Sequence, residues 1–252
     1  GEVGRGSYIR KRPQVNSLAA SAQDGDGTID LSHAIPPPIV KPEEMDQAMQ
    51  SIMRDPRKLM LLDYAPPEGF HMHRTMAVHW LKRSGVETTE NSVVISAGAH
   101  LGLITVAERT NYSQLVTTFK NTHLNPIAVE MDDDGMLPDS LERKAKTTGC
   151  RLIYLVPTLQ NPTTHTMSAK RRDDIVALAR KYDLTIIEDD IFRLLDARVQ
   201  PPTFYELAPE RTYHINSLSK ALAPGLRIGF VVSPHGQERL LRSHMRNMAA
   251  RS

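Results

Sequence analysis

The sequence predicts an α/β domain with a mostly parallel sheet flanked by helices. Short β-rich segments alternate along the chain with segments whose apolar residues recur at helical spacing. Residues 152–156 are a continuous apolar run and residues 184–188 are rich in β-branched residues, as in the strands that parallel sheets bury on both faces. With 252 residues, the chain is long enough to enclose a substantial core. In such sheets ligands bind beyond the carboxyl ends of the strands, so functional side chains should follow strands directly.

The individual elements follow from spacing, capping and turn residues. Helices are expected over residues 43–54, 72–83, 113–122, 139–147 and 168–182, and again from residue 238 onward. Strands are expected over residues 92–96, 104–107, 127–131, 152–156, 184–188, 212–215 and 228–232. This order of strands and helices is typical of a single sheet with helices on both of its faces.

The composition excludes several classes of protein. Charged residues make up 24% and apolar residues 40% of the chain, and the net charge is +2, so no broad basic surface points to nucleic acid. No apolar run approaches the ~20 residues of a membrane span. The lone Cys150 cannot form an internal disulfide, which favours a reducing cytoplasm. His71 and His73 do not share a helix face, and we expect no metal site.

Three polar segments each follow a predicted strand. Asn161 comes after the strand at 152–156, Asp189 directly follows the strand at 184–188, and Lys220 follows the strand at 212–215. A lysine at a strand end among small residues is suited to carbonyl capture once its pKa is lowered. Arg227 offers a fixed fork for a phosphate, and Ser217 adds a hydroxyl donor. The sequence therefore predicts a phosphate clamp beside a reactive amine.

The segment from Ser217 to Gly229 resembles the cofactor-lysine signature of class I/II aminotransferases of fold type I. It contains Ser217-x-Ser-Lys220, then six residues, then Arg227-Ile-Gly. The resemblance implies the large domain of that fold and the cofactor pyridoxal 5′-phosphate (PLP). It assigns the Schiff-base lysine to Lys220 and the phosphate contacts to Ser217, Ser219 and Arg227.

The same resemblance assigns roles to residues outside that segment. Asp189 matches the aspartate that pairs with the pyridine nitrogen and keeps it protonated. Asn161 matches the asparagine that donates a hydrogen bond to the 3′-oxygen of the ring. Phe192 stands where the family usually has a tyrosine that bonds the same oxygen, so one donor is missing.

Two further matches concern the phosphate end and the face of the ring. The segment from Ala97 through Ala99 to His100 occupies the place of the family's turn at a helix N-terminus, where backbone N–H groups bind the phosphate. Tyr112 falls where an aromatic ring stacks on the cofactor. Both matches add contacts to the implied PLP site.

The N-terminal residues extend the resemblance to a layout of domains. Residues 4–10 resemble the last wing strand of a GntR-type winged helix, and residues 11–27 form a polar linker. Residues 28–252 would then be the aminotransferase-like domain of a MocR-type transcriptional regulator. This layout implies an amine or amino-acid ligand, DNA contact through a winged helix, and a homodimer. We expect most of the winged helix and the small C-terminal domain to be missing from this chain.

Simpler interpretations of these residues remain alternatives. Asp189 and Asp190 could form a hydrated strand end or a magnesium site, and Asn161-Pro162 could be an ordinary turn. The basic segment from Lys170 to Arg172 is expected to be a solvated helix face. Beside the regulator stand two rival functions: a true transaminase with Lys220 as general base, and a non-enzymatic fragment that keeps the fold but not the site.

Overall fold

A computed structural model of the chain describes residue 36 and residues 39–109 and 127–249. The expected wing remnant and linker at residues 1–27 and the predicted helix at 113–122 lie outside these ranges. The domain boundaries at residues 10, 27 and 28 therefore stay predictions.

The core of the domain is a five-stranded sheet whose strands lie in the order β1-β7-β6-β5-β4. These strands are β1 (Val93–Ser96), β4 (Leu152–Leu155), β5 (Thr185–Asp189), β6 (Thr212–Ser217) and β7 (Gly229–Val232). Strands β4, β5 and β6 are parallel, whereas β7 is antiparallel to both β6 and β1. Four of the five strands consequently run in the same direction, and the predicted mostly parallel sheet is confirmed.

Seven α-helices lie within the described residues. They are α1 (Pro42–Arg54), α2 (His71–Arg83), α3 (Ala99–Arg109), α4 (Pro138–Thr148), α5 (Ala169–Lys181), α6 (Phe204–Leu207) and α7 (Glu238–Ala249). Ser168 caps α5, because its hydroxyl oxygen accepts a hydrogen bond from Arg171 N at 3.2 Å. Within the described part of the chain, no helix is both long enough and apolar enough to cross a bilayer.

Helices cover both faces of the sheet. On one face α3 and α7 bury Val106 and Leu241 against Ile215 of β6. On the other face the helices supply the buried residues Leu81 and Phe204. Side chains of this size stabilise the fold by ~1.5–3 kcal/mol each when fully buried. Helices packed on both faces hold the strands in place, and a site at the carboxyl ends of those strands depends on this support.

Two predicted strands are wrong. Residues 104–107 belong to α3, whose Leu103 and Val106 lie three positions apart on the face that packs against the sheet. A short apolar run cannot be assigned to helix or strand from periodicity alone. Of residues 127–131, only Met131 is in a strand: β2 (Met131–Asp132) forms an exposed two-stranded hairpin with β3 (Gly135–Met136).

Candidate functional site

The candidate site lies where β5 and β6 end side by side. Asp189, the last residue of β5, is paired with Ile215, and Ser217 ends β6 two residues later on the same face. Asp190 extends the pairing, because its N–H donates to Ile215 O at 3.0 Å. The side-chain amide of Asn216 donates to Asp190 O at 3.2 Å. The predicted convergence of these two strand ends is therefore present in the structure.

Asp189 is a buried carboxylate with one oxygen engaged and the other unpaired. The hydroxyl of Tyr154, on β4, donates to Asp189 Oδ2 at 2.8 Å. Asp189 Oδ1 has no hydrogen-bond partner among the described residues. Burial raises the pKa of Asp189 to about 6, although the Tyr154 hydrogen bond opposes this shift. The unpaired oxygen is thus ready to accept a proton donor from a ligand.

Lys220 lies in the turn that follows β6, near Phe192 in the segment after β5. Its Nζ atom is 5.9 Å from the centroid of the Phe192 ring, three residues after Asp189. The side chain is half-buried, and burial lowers the pKa of the Lys220 amine. A lowered pKa increases the fraction of neutral amine, which is the nucleophilic form.

The serines of this turn hold its backbone. Ser219 N donates to Ser217 Oγ at 3.1 Å, and both residues are buried. The turn continues as Leu222 N donates to Leu218 O at 2.9 Å. The predicted pair of hydroxyls therefore lies directly before Lys220, at the end of β6.

A second part of the site brings Arg227 to the N-terminus of α3. Gly98 has φ +86°, and a β-carbon there would stand 2.8 Å from Arg227 Nη2. A β-carbon at Gly229 would stand 2.6 Å from Ala99 N, so β7 and the start of α3 are in close contact. His100, also predicted to contribute, is an exposed residue of the same first turn. A guanidinium group and a helix N-terminus side by side form a natural anion-binding site.

Asn161 does not join these residues through a hydrogen bond. It lies in an exposed loop and precedes Pro162 through a cis peptide bond. Within the described ranges its side-chain amide makes no hydrogen bond to another predicted site residue. Tyr112 lies outside the described residues. The structure thus brings together the amine, the aspartate and the phosphate-type donors, and leaves the roles of Asn161 and Tyr112 as predictions.

A buried polar layer supports the site from the opposite face of β5 and β6. Glu188 accepts hydrogen bonds from Phe204 N at 2.8 Å and Tyr205 N at 3.1 Å, and its Oε2 lies 2.9 Å from His214 Nδ1. Burial raises the pKa of Glu188, but the His214 hydrogen bond, the charges of His214 and Arg172 and the Phe204 backbone hydrogen bond together outweigh burial, so the net pKa is lowered. The backbone amides of α6 thus satisfy this carboxylate together with His214.

Glu188, His214 and Asp190 have metal-ligand side chains whose donor atoms lie within 4.8 Å of one another. Two guanidinium groups already face this cluster: Arg172 Nη1 is 3.8 Å from Glu188 Oε1, and Arg193 Nη1 is 3.5 Å from Asp190 Oδ2. These cations neutralise the carboxylates that a metal ion would need. We interpret the cluster as an ionic network that fixes the strand ends.

The expectation that the segment from Lys170 to Arg172 is a solvated helix face is wrong for Arg172, whose side chain is 0% exposed. It donates to Met167 O, Pro157 O and Pro202 O, each at 3.1 Å. The signal was present in the sequence: Arg172 lies three, four and seven positions before apolar residues that form the buried stripe of α5, namely Ile175, Val176 and Ala179. Arg172 therefore ties the loop that carries Asn161 to the rest of the domain.

Tyr154 is a site residue that the sequence did not reveal. It lies in the middle of β4, where a tyrosine is an ordinary strand residue. Its contact with Asp189 depends on the parallel register of β4 and β5, in which Tyr154 is paired with Ile187. Register between distant strands cannot be inferred from either strand alone, so no signal identified this residue.

The assembled groups suit a ligand that carries a carbonyl group, a proton-donating ring nitrogen and an anionic group. The amine of Lys220 can capture the carbonyl, Asp189 Oδ1 can accept the ring proton, and the Gly98 and Arg227 region can bind the anion.

Comparisons with known proteins give the family and the fold that this chain resembles. The family model described as "Aminotransferase class I and II" matches residues 41–252. The uncharacterized HTH-type transcriptional regulator YdfD of Bacillus subtilis (strain 168) is 31% identical over 185 residues, which cover 68% of this chain and 38% of YdfD. The chain is thus similar to a regulator over little more than a third of that regulator's length.

Two solved structures have a similar fold. The crystal structure of an archaeal alanine:glyoxylate aminotransferase superposes with a TM-score of 0.78 at 26% identity, covering 91% of this chain and 61% of that one. LysN, an α-aminoadipate aminotransferase from Thermus thermophilus solved with N-(5′-phosphopyridoxyl)-L-leucine, superposes with a TM-score of 0.71 at 25% identity, covering 85% of this chain and 59% of LysN. The chain spans about three fifths of either structure.

Proposed function

Because this chain belongs to the class I and II aminotransferase family, we propose that it binds PLP through Lys220 and senses an amine or amino acid as the effector domain of a MocR-type transcriptional regulator. The observation that carries the proposal is the unpaired, buried Oδ1 of Asp189 at the strand end beside the Lys220 turn. A carboxylate is costly to bury without a partner, which favours a bound cation at that atom.

PLP fits the described groups of this fold-type I domain. Asp189 Oδ1 would accept the proton of the ring nitrogen, and Lys220 Nζ would attack the cofactor's aldehyde carbon. Bound PLP supplies an electron-withdrawing ring for an attached amine. Asn161 is the proposed donor to the 3′-oxygen, and Phe192, which lacks a hydroxyl, packs near Lys220 without donating to that oxygen.

The phosphate of PLP would bind at the other end of the site. Arg227 offers a guanidinium group against Gly98, and α3 directs the N–H groups of its first turn, at Ala99 and His100, toward the same region. Ser217 and Ser219 add hydroxyl groups from the turn before Lys220. In this proposal Tyr112 stacks on the ring face.

Two observations support the regulator over other members of the family. YdfD is described as an HTH-type transcriptional regulator, and residues 4–10 resemble a winged-helix wing strand. We propose that residues 11–27 link that wing to the PLP domain, and that DNA is contacted through the winged helix. We further propose that the protein acts in the cytoplasm as a homodimer, which sedimentation analysis of the PLP-loaded chain would test.

A second candidate function is amino transfer itself. The solved structures that superpose on this chain are described as aminotransferases. Lys220 would then serve twice: its Nζ binds the cofactor, and after release it moves the proton of the substrate Cα as general base. The lowered pKa of the Lys220 amine favours the neutral form that this step needs.

One experiment distinguishes three possibilities: an amine sensor, an aminotransferase and a fragment without a working site. The PLP-loaded chain is mixed with a panel of amino acids and simple amines, with a keto acid as amino acceptor, while the visible spectrum and the keto-acid product are recorded. A sensor gives a reversible spectral change with one class of amine and at most a single turnover of product. Repeated turnover identifies an aminotransferase, and failure to bind PLP identifies a fragment without a working site.

A further inference from the structure

We propose that Tyr154 is a positioning residue of the PLP site: its hydroxyl occupies Oδ2 of Asp189 and so presents Oδ1 to the ring nitrogen of the cofactor. The inference rests on the proposed PLP function and goes beyond it by assigning a role to a residue on a third strand, β4.

The geometry supports a directed contact. The Tyr154 hydroxyl lies 2.8 Å from Asp189 Oδ2, and Asp189 Oδ1 has no hydrogen-bond partner in the described part of the chain. A carboxyl group with two free oxygens could rotate about its Cβ–Cγ bond. The Tyr154 hydroxyl, with the Ile191 backbone N–H that also bonds this carboxyl group, restricts the rotation and leaves Oδ1 for a ligand.

The Tyr154 ring is held by packing and by its hydroxyl group. It packs against the core cluster that contains Ile187 and Ile215, and its half-buried side chain also borders a cavity of about 190 Å³. A hydrogen bond to a buried carboxylate is strongly directional, whereas apolar packing is not. The hydroxyl therefore adds a directional restraint between Tyr154 and Asp189 that packing does not supply.

The hydrogen bond also affects the charge of Asp189. Burial raises the pKa of Asp189 to about 6, the Tyr154 hydroxyl lowers it, Asp190 raises it and His214 on β6 lowers it. The nearby cation Lys220 has its Nζ 5.9 Å from the centroid of the Phe192 ring, three residues after Asp189. Because the hydroxyl donates to the ionised form, it keeps more of Asp189 ionised near neutral pH, as pairing with a protonated ring nitrogen requires.

Tyr154→Phe tests this role, with Tyr213→Phe as the matched control. Tyr213 is a buried tyrosine of β6 whose hydroxyl donates to Gln237 Oε1 at 2.9 Å. Affinity for pyridoxal, which lacks the titrating phosphate, is measured at pH 6.5 and pH 8.5. Loss of the hydrogen bond should both free the Asp189 carboxyl group to rotate and raise its pKa, so Tyr154→Phe should bind pyridoxal more weakly at both pH values, with a loss about threefold larger at pH 6.5 than at pH 8.5. Tyr213→Phe should match the wild type at both values.

The contrary outcomes are distinguishable. If the wild type binds pyridoxal but Tyr154→Phe shows the same affinities at both pH values, or an equal loss at both, the positioning role is wrong and the PLP function stands. If the wild type binds neither PLP nor pyridoxal, the proposed function fails and this inference fails with it.

A second measurement covers the case in which Tyr154→Phe does not fold. In the cofactor-free wild type labelled with ¹³Cζ-tyrosine, the NMR signal of Tyr154 should titrate with the Asp189 midpoint, and this titration should disappear in Asp189→Asn. A Tyr154 signal that does not respond to Asp189 overturns the proposal.

Discussion

Arg227 lies against Gly98 so closely that a β-carbon on the glycine would stand 2.8 Å from Arg227 Nη2. This contact joins the residue before α3 to a residue just ahead of β7, and the two are far apart in the sequence. It defines the proposed phosphate end of the site.

Gly98→Ala should weaken PLP binding by about tenfold or more, because the new methyl group displaces the guanidinium group that would hold the phosphate. The substitution also strains a backbone with φ +86° by ~1–2 kcal/mol. Gly236→Ala is the control, since Gly236 has φ +79° and nothing within 4 Å of its added β-carbon. Both variants should lose similar stability in urea unfolding, but only Gly98→Ala should lose PLP affinity. Equal affinity in the two variants would place the phosphate elsewhere.

Phe192→Tyr should lower the pH midpoint of the visible band of bound PLP. A tyrosine hydroxyl at this position would donate to the 3′-oxygen of the ring and stabilise its anionic form. A spectroscopic pH titration measures the midpoint, and Phe192→Leu, which removes the ring without adding a donor, serves as the control. An unchanged or raised midpoint in Phe192→Tyr would remove residue 192 from the cofactor site.

The Asp189 carboxylate should make the cofactor-free protein less stable as pH rises. Its pKa is about 6 in the folded protein, against an ordinary value of 3.8, so the folded state holds the proton more tightly. The protonated Asp189 carboxyl group therefore contributes its full stabilisation of the folded state below pH ~4, and this contribution is lost as pH rises through ~6. The shift of about 2 units corresponds to ~3 kcal/mol.

Asp189→Asn removes the free-energy cost of ionising a buried carboxyl group, because the amide is neutral and its oxygen can still accept the Tyr154 hydrogen bond. Urea unfolding without cofactor should show the variant more stable than the wild type by up to ~3 kcal/mol at pH 8, with little difference at pH 4. PLP binding should fall in the same variant. A variant less stable than the wild type at pH 8 would show that Asp189 is already paired in the cofactor-free protein.

Arg172→Met should destabilise the domain by ~3–5 kcal/mol, because it leaves the Pro157, Met167 and Pro202 carbonyl groups and the Glu188 carboxylate without their shared donor. Lys170→Met, on the exposed side of the same helix, should change stability by less than ~0.5 kcal/mol. Urea unfolding of the two variants gives both values. Equal stability of the two variants would contradict the interpretation of Arg172 as a buried clamp.

The sequence revealed those parts of the site that depend on local pattern. Asp189 and Ser217 were expected just after strands, because short segments rich in β-branched and apolar residues identify buried strands and thereby the residues that follow them. Tyr154 was missed because its contact depends on the register between β4 and β5. The contact between Arg227 and Gly98 depends on how α3 crosses β7, which no local pattern encodes.

The difference between local pattern and tertiary packing also explains why a strand was wrongly predicted at residues 104–107, which belong to α3. Residues 104–107 are β-branched or apolar and suit either a strand or a buried helix. Packing on the sheet decided the outcome, since Leu103 and Val106 are buried against it and Gly102 lies close to Val231. Arg172 shows the opposite case, in which the helical spacing was informative but the charge of the side chain suggested exposure.

Borohydride reduction of the PLP-loaded chain, followed by peptide mapping, tests the central claim most directly. We expect a visible absorption band on adding PLP, a permanent adduct after reduction, and a single modified peptide that contains Lys220. Lys220→Ala should lose the adduct, whereas Lys170→Ala, which changes an exposed lysine, should keep it. An adduct on a different lysine, or no band in a folded sample, would contradict the assignment of Lys220 as the cofactor lysine.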